Sequence, residues 1–360
     1  MEFGVNFFPT VSPAEKSAAQ YYEECLHLVA LAEELGYAHV KTVEHYFFPY
    51  GGYSPDPVTF LAAAAARTER IRLITGAAIP AFTHPVKLAG KLAMLDNLSH
   101  GRLDVGFGRA FLPDEFEAFG IPLDESRERF AAAVEACRRL WSEENVTVDT
   151  PYFRFGPATL LPRPYQSPHP RILVAAAFTA QSCETAGTSG YGLMLVPSIT
   201  SREKAQDMIG RYRAAWTAAG HRPGGESVHL SYDCYLDEDG DRARRDGRVH
   251  AGNYQEKLSD AVQAWGRTRS TVYEGYERLI EQVKKLDYDE SVRDNKILAG
   301  DPQEVLAQLR QIRDAFGEIT VSLHTNAGLM PVADAERTMR LFAEHVMPEL
   351  AGSAGHTARV

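Results

Sequence analysis

Residues 101–111 read G-R-L-D-V-G-F-G-R-A-F, and residues 114–127 continue as D-E-F-E-A-F-G-I-P-L-D-E-S-R. Leu103, Val105 and Phe107 alternate with Asp104, Gly106 and Gly108. That is the two-residue period of a strand, and the glycines let a ligand or a second backbone approach closely. Arg109 stands where the strand stops. Arg127 falls in the first turn of the helical pattern that follows, where a cation opposes the helix dipole. Two readings explain it: an anion lies between Arg109 and Arg127, or Arg127 pairs with Glu125 or Glu128 on a solvated face. The stretch also approaches a dinucleotide fingerprint, but Phe111 occupies the third glycine position and no helix follows at once, which argues against a nicotinamide site.

Outward from this strand, the same alternation of strand and helix repeats. Before it come Phe3–Phe8, Ala38–Val43 and Ile71–Ala78, each followed by a helical pattern opened at Ser12-Pro13, Asp56-Pro57 and Thr83-His84-Pro85. The third of these strands is almost wholly apolar, as a parallel sheet covered on both faces requires. After it, a helix carrying Phe130, Val134, Cys137 and Trp141 leads to residues 145–170, where a hairpin at Val146–Phe153 and an extended connector with Pro162, Pro164, Pro168 and Pro170 break the rhythm. The rhythm resumes with strands at Ile172–Ala177, Leu193–Val196, Val228–Leu236 and Ile319–Leu323. Residues 237–295, charged at first and then dotted with Tyr and Trp, read as a second excursion, either a solvated surface or a substrate lid built on loops. Eight strand-then-helix units predict an α/β fold, a (β/α)8 TIM barrel, forming one domain over 1–360 with insertions after strands 4 and 7. An open doubly wound sheet is the alternative.

The 360 residues are 44% hydrophobic and 24% charged, an ordinary globular balance with enough apolar content for a large core. The formal charge of −10 argues against nucleic-acid or acidic-membrane partners. Cys25, Cys137, Cys183 and Cys234 form no C-x-x-C pair, which suits reduced thiols in a cytoplasmic protein. The first residues lack the basic and long apolar regions of a signal peptide, and no run approaches the ~18 apolar residues of a membrane span.

A barrel places its active site at the carboxyl ends of the strands. That nominates Phe8, His45, Ala77, Ala78, Arg109, Phe178, Thr179, Pro197, Ser198, Tyr235 and His324–Asn326. No carboxylates and histidines cluster at metal spacing, so no metal site is predicted. His45 follows Glu44 and precedes aromatics; it is either a general acid/base or a packed core residue. Thr179-Ala180-Gln181-Ser182 opens the fifth helix with hydroxyls and free N–H groups, which makes either a phosphate site or an ordinary cap.

These motifs, in their order and spacing, resemble the bacterial-luciferase-like family of flavin-dependent monooxygenases. The resemblance rests on L-G-Y-A-H-V-K-T-V-E-H-Y-F at 35–47, T-H-P-V-K-L-A at 83–89 and S-H-G-R-L-D-V-G-F-G-R-A-F at 99–111. It extends through E-F-E-A-F-G-I-P at 115–122, L-L-P-R-P-Y-Q-S-P-H-P-R-I-L-V-A-A at 160–176 and the late R-L-F-A-E-H-V-M-P. It implies FMN, delivered as FMNH2 by a separate flavin reductase, with O2 as co-substrate, a flavin hydroperoxide as oxidant, and a homodimer. It implies that His45 is the catalytic histidine, while Tyr46 stands where the family often has a second one. Arg109, Arg127, Ser182 and Thr179 match positions that hold the FMN phosphate, and a non-proline cis peptide beneath the flavin ring is expected at Ala77-Ala78. Ala176 and Ala177 replace polar residues of the luciferase subunit, and Gly108 replaces a reactive cysteine of true luciferases, which argues against light emission. Phe8, Phe47, Phe111 and Phe178 are expected to line a pocket for a small organic substrate, an aromatic or polyketide-like metabolite. Two alternatives accompany this reading: a deazaflavin-dependent hydride-transfer enzyme on the same barrel, and a non-catalytic flavin-binding protein.

Overall fold

The computed structural model describes residues 1–176 and 179–350. Eight parallel strands close into a barrel: β1 (Glu2–Phe7), β2 (His39–Thr42), β3 (Arg72–Thr75), β4 (Leu103–Phe107), β7 (Arg171–Ala175), β8 (Gly192–Leu195), β9 (Val228–Leu236) and β11 (Thr320–Asn326). Closure comes from β9 pairing with both β8 and β11, and from β11 pairing with β1. Between β4 and β7 the expected hairpin is present, as β5 (Val146–Asp149) against β6 (Arg154–Ala158). The TIM barrel read from the alternating pattern is therefore the observed fold.

Three apolar clusters locate the core. The largest lies between the strands and the surrounding helices. A small one, Ile74, Ala77, Leu173 and Met194, fills the barrel interior. The third, built around Tyr50, Leu112, Trp265, Tyr273 and Tyr276, lies beneath the second excursion. Among the described residues no helix is long and apolar enough to cross a membrane.

Several boundaries differ from expectation. Ser12 and Glu15 do bond as a capping pair, with both the Ser12 N–H and its hydroxyl donating to Glu15 Oε2 at 2.7 Å, yet the helix begins only at Ala18, capped by Ser17. The excursion after β9 is helical rather than a set of loops. Its main element, Gly240–Ala261, is capped by Asp239, whose carboxylate accepts from the N–H groups of Asp241 and Arg242. Gly247 does not break that helix because it serves packing: a Cβ there would collide with the Tyr288 hydroxyl and the Tyr235 ring. A further strand, β10 (Ile297–Gly300), also went unforeseen, and it pairs only with the upper half of β9. Asp233 pairs with His324 on one side and Ile297 on the other, so β8 and β10 share one edge of β9 in succession.

Candidate active site

A cavity of about 560 Å³ opens at the carboxyl end of the barrel. It gathers His45, Ala77, Arg109, Arg127, Thr179, Ser182, Phe8 and Phe111, eight residues nominated from the sequence.

His45 follows β2, and its Nδ1 lies 3.0 Å from Oε1 of Glu115, a fully buried carboxylate in the loop helix Pro113–Ala118. The same oxygen accepts the Tyr46 N–H at 2.9 Å, so one carboxylate fixes both the ring and its backbone. Because a carboxylate only accepts, Nδ1 carries the proton, and Nε2 is the ring nitrogen left for the cavity. Around the imidazole stand Phe8, Tyr50 and Phe111, with ring centroids 5.6, 5.3 and 5.8 Å away. Glu115 is 70 residues from His45 in the chain, and nothing local in the sequence singles it out.

Glu44 has another task. Its Oε1 accepts from the Tyr46 hydroxyl at 2.7 Å and its Oε2 from the Ile79 N–H at 2.8 Å, and burial pushes its carboxyl up to about 7. Tyr46 is thus drawn onto Glu44 and does not line the main cavity. The chain held by Glu44 includes a non-proline cis peptide, which lies at Gly76–Ala77, one residue before the expected Ala77-Ala78. Ala77 faces the main cavity. Ala78 does not: it pairs with Phe107 and borders a separate cavity of about 260 Å³ beside Phe82 and Lys91.

At the other end of the cavity, Arg109 and Arg127 converge. Arg127 pairs with neither nearby glutamate. Its Nη1 donates to Gln181 Oε1 at 2.7 Å, while Glu125 takes Arg129 and Glu128 takes the Tyr152 hydroxyl. Arg109 lies over the Tyr273 ring at 4.3 Å and donates to the Val272 carbonyl at 3.3 Å. Among the described residues neither guanidinium has a carboxylate within 4.0 Å. Thr179 is the N-cap residue of the helix Ala180–Thr188 but makes no cap bond; its hydroxyl meets that of Ser182 at 2.7 Å. Two arginines without anionic partners, next to two hydroxyls and a helix start, have the donors a phosphate needs. The residues present therefore fit an FMN-type phosphate, and Gly76, Ala77 and Gly108 line the same cavity.

Ala110 connects the two ends. It sits at φ 61, in the left-handed region that costs a non-glycine residue about 1–2 kcal/mol. The Tyr273 hydroxyl donates to its carbonyl at 2.9 Å, and the Trp265 indole N–H donates to the Phe111 carbonyl at 3.0 Å. The helical excursion thus holds the loop that aims Arg109 and Phe111 inward.

One expected pocket residue is elsewhere. Phe47, at φ 69 and 65% exposed, points to solvent and does not line the cavity. Phe178 lies outside the described residues, as does Ala177. In exchange, Tyr254, Tyr276, Asp233, Lys41 and Asn6 line the cavity unannounced by any local motif, alongside His324 and Ser198, which the strand ends had nominated. His324 faces acceptors at both nitrogens, Asp233 Oδ1 at 2.8 Å and the Phe8 carbonyl at 3.0 Å.

A closed parallel barrel whose mouth pairs a carboxylate-fixed histidine with a phosphate-type cradle defines the class to which comparison should lead. The profile of the luciferase-like monooxygenases matches residues 1–318, and the chain belongs to that family. It superposes on the crystal structure of the monooxygenase RslO1 from Streptomyces bottropensis with a TM-score of 0.89 and 56% identity, covering 98% of this chain and 100% of that one. It is 26% identical to the oxygenase component of the flavin-dependent trigonelline monooxygenase of Acinetobacter baylyi, over 94% of this chain and 92% of that protein. It is also 30% identical to an F420-dependent glucose-6-phosphate dehydrogenase of Intrasporangium calvum, over 94% of this chain and 98% of that protein. The match to an uncharacterised Mycobacterium tuberculosis protein, Rv0953c, is 36% identical but spans only 46% of this chain and 57% of that protein.

Proposed function

We propose that this chain is the oxygenase component of a two-component monooxygenase: it takes reduced FMN from a separate flavin reductase and uses O2 to oxygenate an apolar, ring-bearing organic molecule. One oxygen atom enters the product and the other leaves as water. The observation that carries this reading is the pairing, in one cavity, of two carboxylate-free arginines at one end with the His45–Glu115 pair in an aromatic box at the other.

In this reading Arg109, Arg127, Thr179 and Ser182 hold the FMN phosphate, and Gly76, Ala77 and Gly108 underlie the ring. Bound reduced FMN supplies the electrons that activate O2. His45, its Nδ1 proton held by Glu115, offers Nε2 to take and return a proton where oxygen is transferred. Phe8, Tyr50, Phe111 and Tyr254 surround the organic substrate and exclude water that would otherwise divert the oxidant to hydrogen peroxide. The relation to a trigonelline monooxygenase oxygenase component supports the separate reductase. A homodimer in the cytoplasm, folded as one domain, completes the proposal.

The identity with an F420-dependent dehydrogenase favours a second reading, hydride transfer by a deazaflavin in the same cavity. Anaerobic titration with FMNH2 and with reduced F420, followed by admission of O2 in the presence of candidate substrates, separates the two. Binding of FMNH2 and oxygen uptake matched by product support the monooxygenase. Binding of F420 alone, with product formed without oxygen uptake, overturns it.

A further inference from the structure

Lys41 points from β2 into the barrel directly below the cavity. It is buried, only 3% exposed, and it lines the cavity floor. Among the described residues its ammonium has one partner, the Ser231 hydroxyl at 2.6 Å, and no carboxylate within 4.0 Å. The stem runs against Gly76, where a Cβ would collide with Lys41 Cδ, so a residue without a side chain makes room for the lysine beneath the cis peptide. Beside it on β1, in register, is Asn6, whose buried Oδ1 has no hydrogen-bond partner among the described residues. Asp233 also lines this floor, but its carboxylate is engaged by His324.

A buried cation with a single neutral partner is costly unless something bound compensates it. Burial draws the ammonium's pKa down to about 7, with no anionic neighbour opposing the fall. The phosphate cannot be the compensating group, because Arg109, Arg127 and Ser182 already form a cradle at the far end. What the floor faces is the ring that would lie on Gly76 and Ala77. A reduced flavin differs from an oxidised one in carrying, near neutral pH, a negative charge shared between N1 and the C2 carbonyl.

Resting on the flavin reading above, we propose that Lys41, seconded by Asn6, is the site that recognises the negative charge of the reduced flavin ring, so that the protein prefers the reduced over the oxidised cofactor. Such a preference suits a protein that must collect reduced flavin from a partner and let the oxidised product go. Lys41 acts here as a binding and positioning residue.

The test compares wild type with Lys41→Met and Lys41→Gln, measuring Kd for oxidised FMN in air and for FMNH2 under argon. Loss of one charge-assisted contact is expected to weaken FMNH2 binding about 10- to 100-fold while oxidised FMN changes little. The midpoint potential of bound FMN should fall by about 30 mV per tenfold, the two-electron conversion. Retained binding of oxidised FMN certifies that each variant is folded. An unchanged ratio of the two dissociation constants in both variants overturns the assignment to Lys41 and leaves the flavin reading standing. Wild type that binds neither form of FMN overturns both.

Discussion

Two histidines, one on β2 and one just beyond its end, frame the molecule. His39 and His45 are six residues apart, and with Lys41 and Val43 they follow the period of β2 from the closed end of the barrel to its mouth. His39 is buried, bonded through Nε2 to the Ser322 hydroxyl at 2.7 Å, and lies 5.9 Å from the His229 ring. Burial, together with neighbouring His229 and Lys41, holds it well below the usual histidine value of 6.5, and burial takes His229 down to about 3. Both are neutral parts of the core. His45, equally buried, has a carboxylate on one nitrogen and a cavity on the other. The residue type is the same and both are buried; what sets His45 apart is that it also lines the cavity.

The comparison breaks most sharply at its upper end. Replacing His45 with Ala should cut coupled product formation by about 100-fold or more, the ordinary contribution of a positioned acid/base. FMN affinity should stay near wild type, so oxygen uptake continues and appears as hydrogen peroxide. Full coupling in that variant would return His45 to the same category as His39.

A smaller effect is expected one contact further out. Glu115→Gln keeps a carbonyl for the His45 and Tyr46 N–H groups but removes the charge, and coupled turnover should drop by roughly tenfold with FMN binding intact. An unchanged rate, measured as product per oxygen consumed, would mean that the carboxylate only packs.

The smallest effect concerns stability at the closed end. A histidine whose folded pKa is depressed contributes stability that is present above the unfolded value near 6.5 and lost as pH falls below it toward the folded value. Chemical denaturation from neutral pH down to about pH 5 should therefore show His229→Asn or His39→Gln recovering about 1–2 kcal/mol of the acid-induced loss. Equal pH slopes for variant and wild type would show that these imidazoles are not what acid attacks.

How much of this was legible beforehand follows from the range of each interaction. The barrel could be read because strand period and helix caps are local, Arg109 and His45 because strand ends follow from that count, and Arg127 because a cation in a helix's first turn stands out. Glu115 and Asp233 could not, since their histidine contacts span 70 and 91 residues. Lys41 was hidden for another reason: a lysine in a strand reads as a solvated position, and only the closed barrel turns it inward. The excursion was not read as helical because its charges and the glycines at 240 and 247 look like turn chemistry. In the fold the arginines find Asp and Glu partners on the helix surface, as with Arg248 on Asp289 and Arg244 on Glu304. Phe47 looked like part of an aromatic pocket, but its left-handed backbone turns it to solvent.

The bonds from Tyr273 and Trp265 to the carbonyls of Ala110 and Phe111 bear on how such a protein can be re-engineered or can diverge. Transplanting residues 240–293 from a relative, in the hope of inheriting its choice of substrate, would also exchange the two anchors that keep Arg109 aimed into the cavity. A chimera that leaves the 109–111 loop behind should lose flavin before it gains a new substrate, so the two segments are best moved, and understood, as one heritable part.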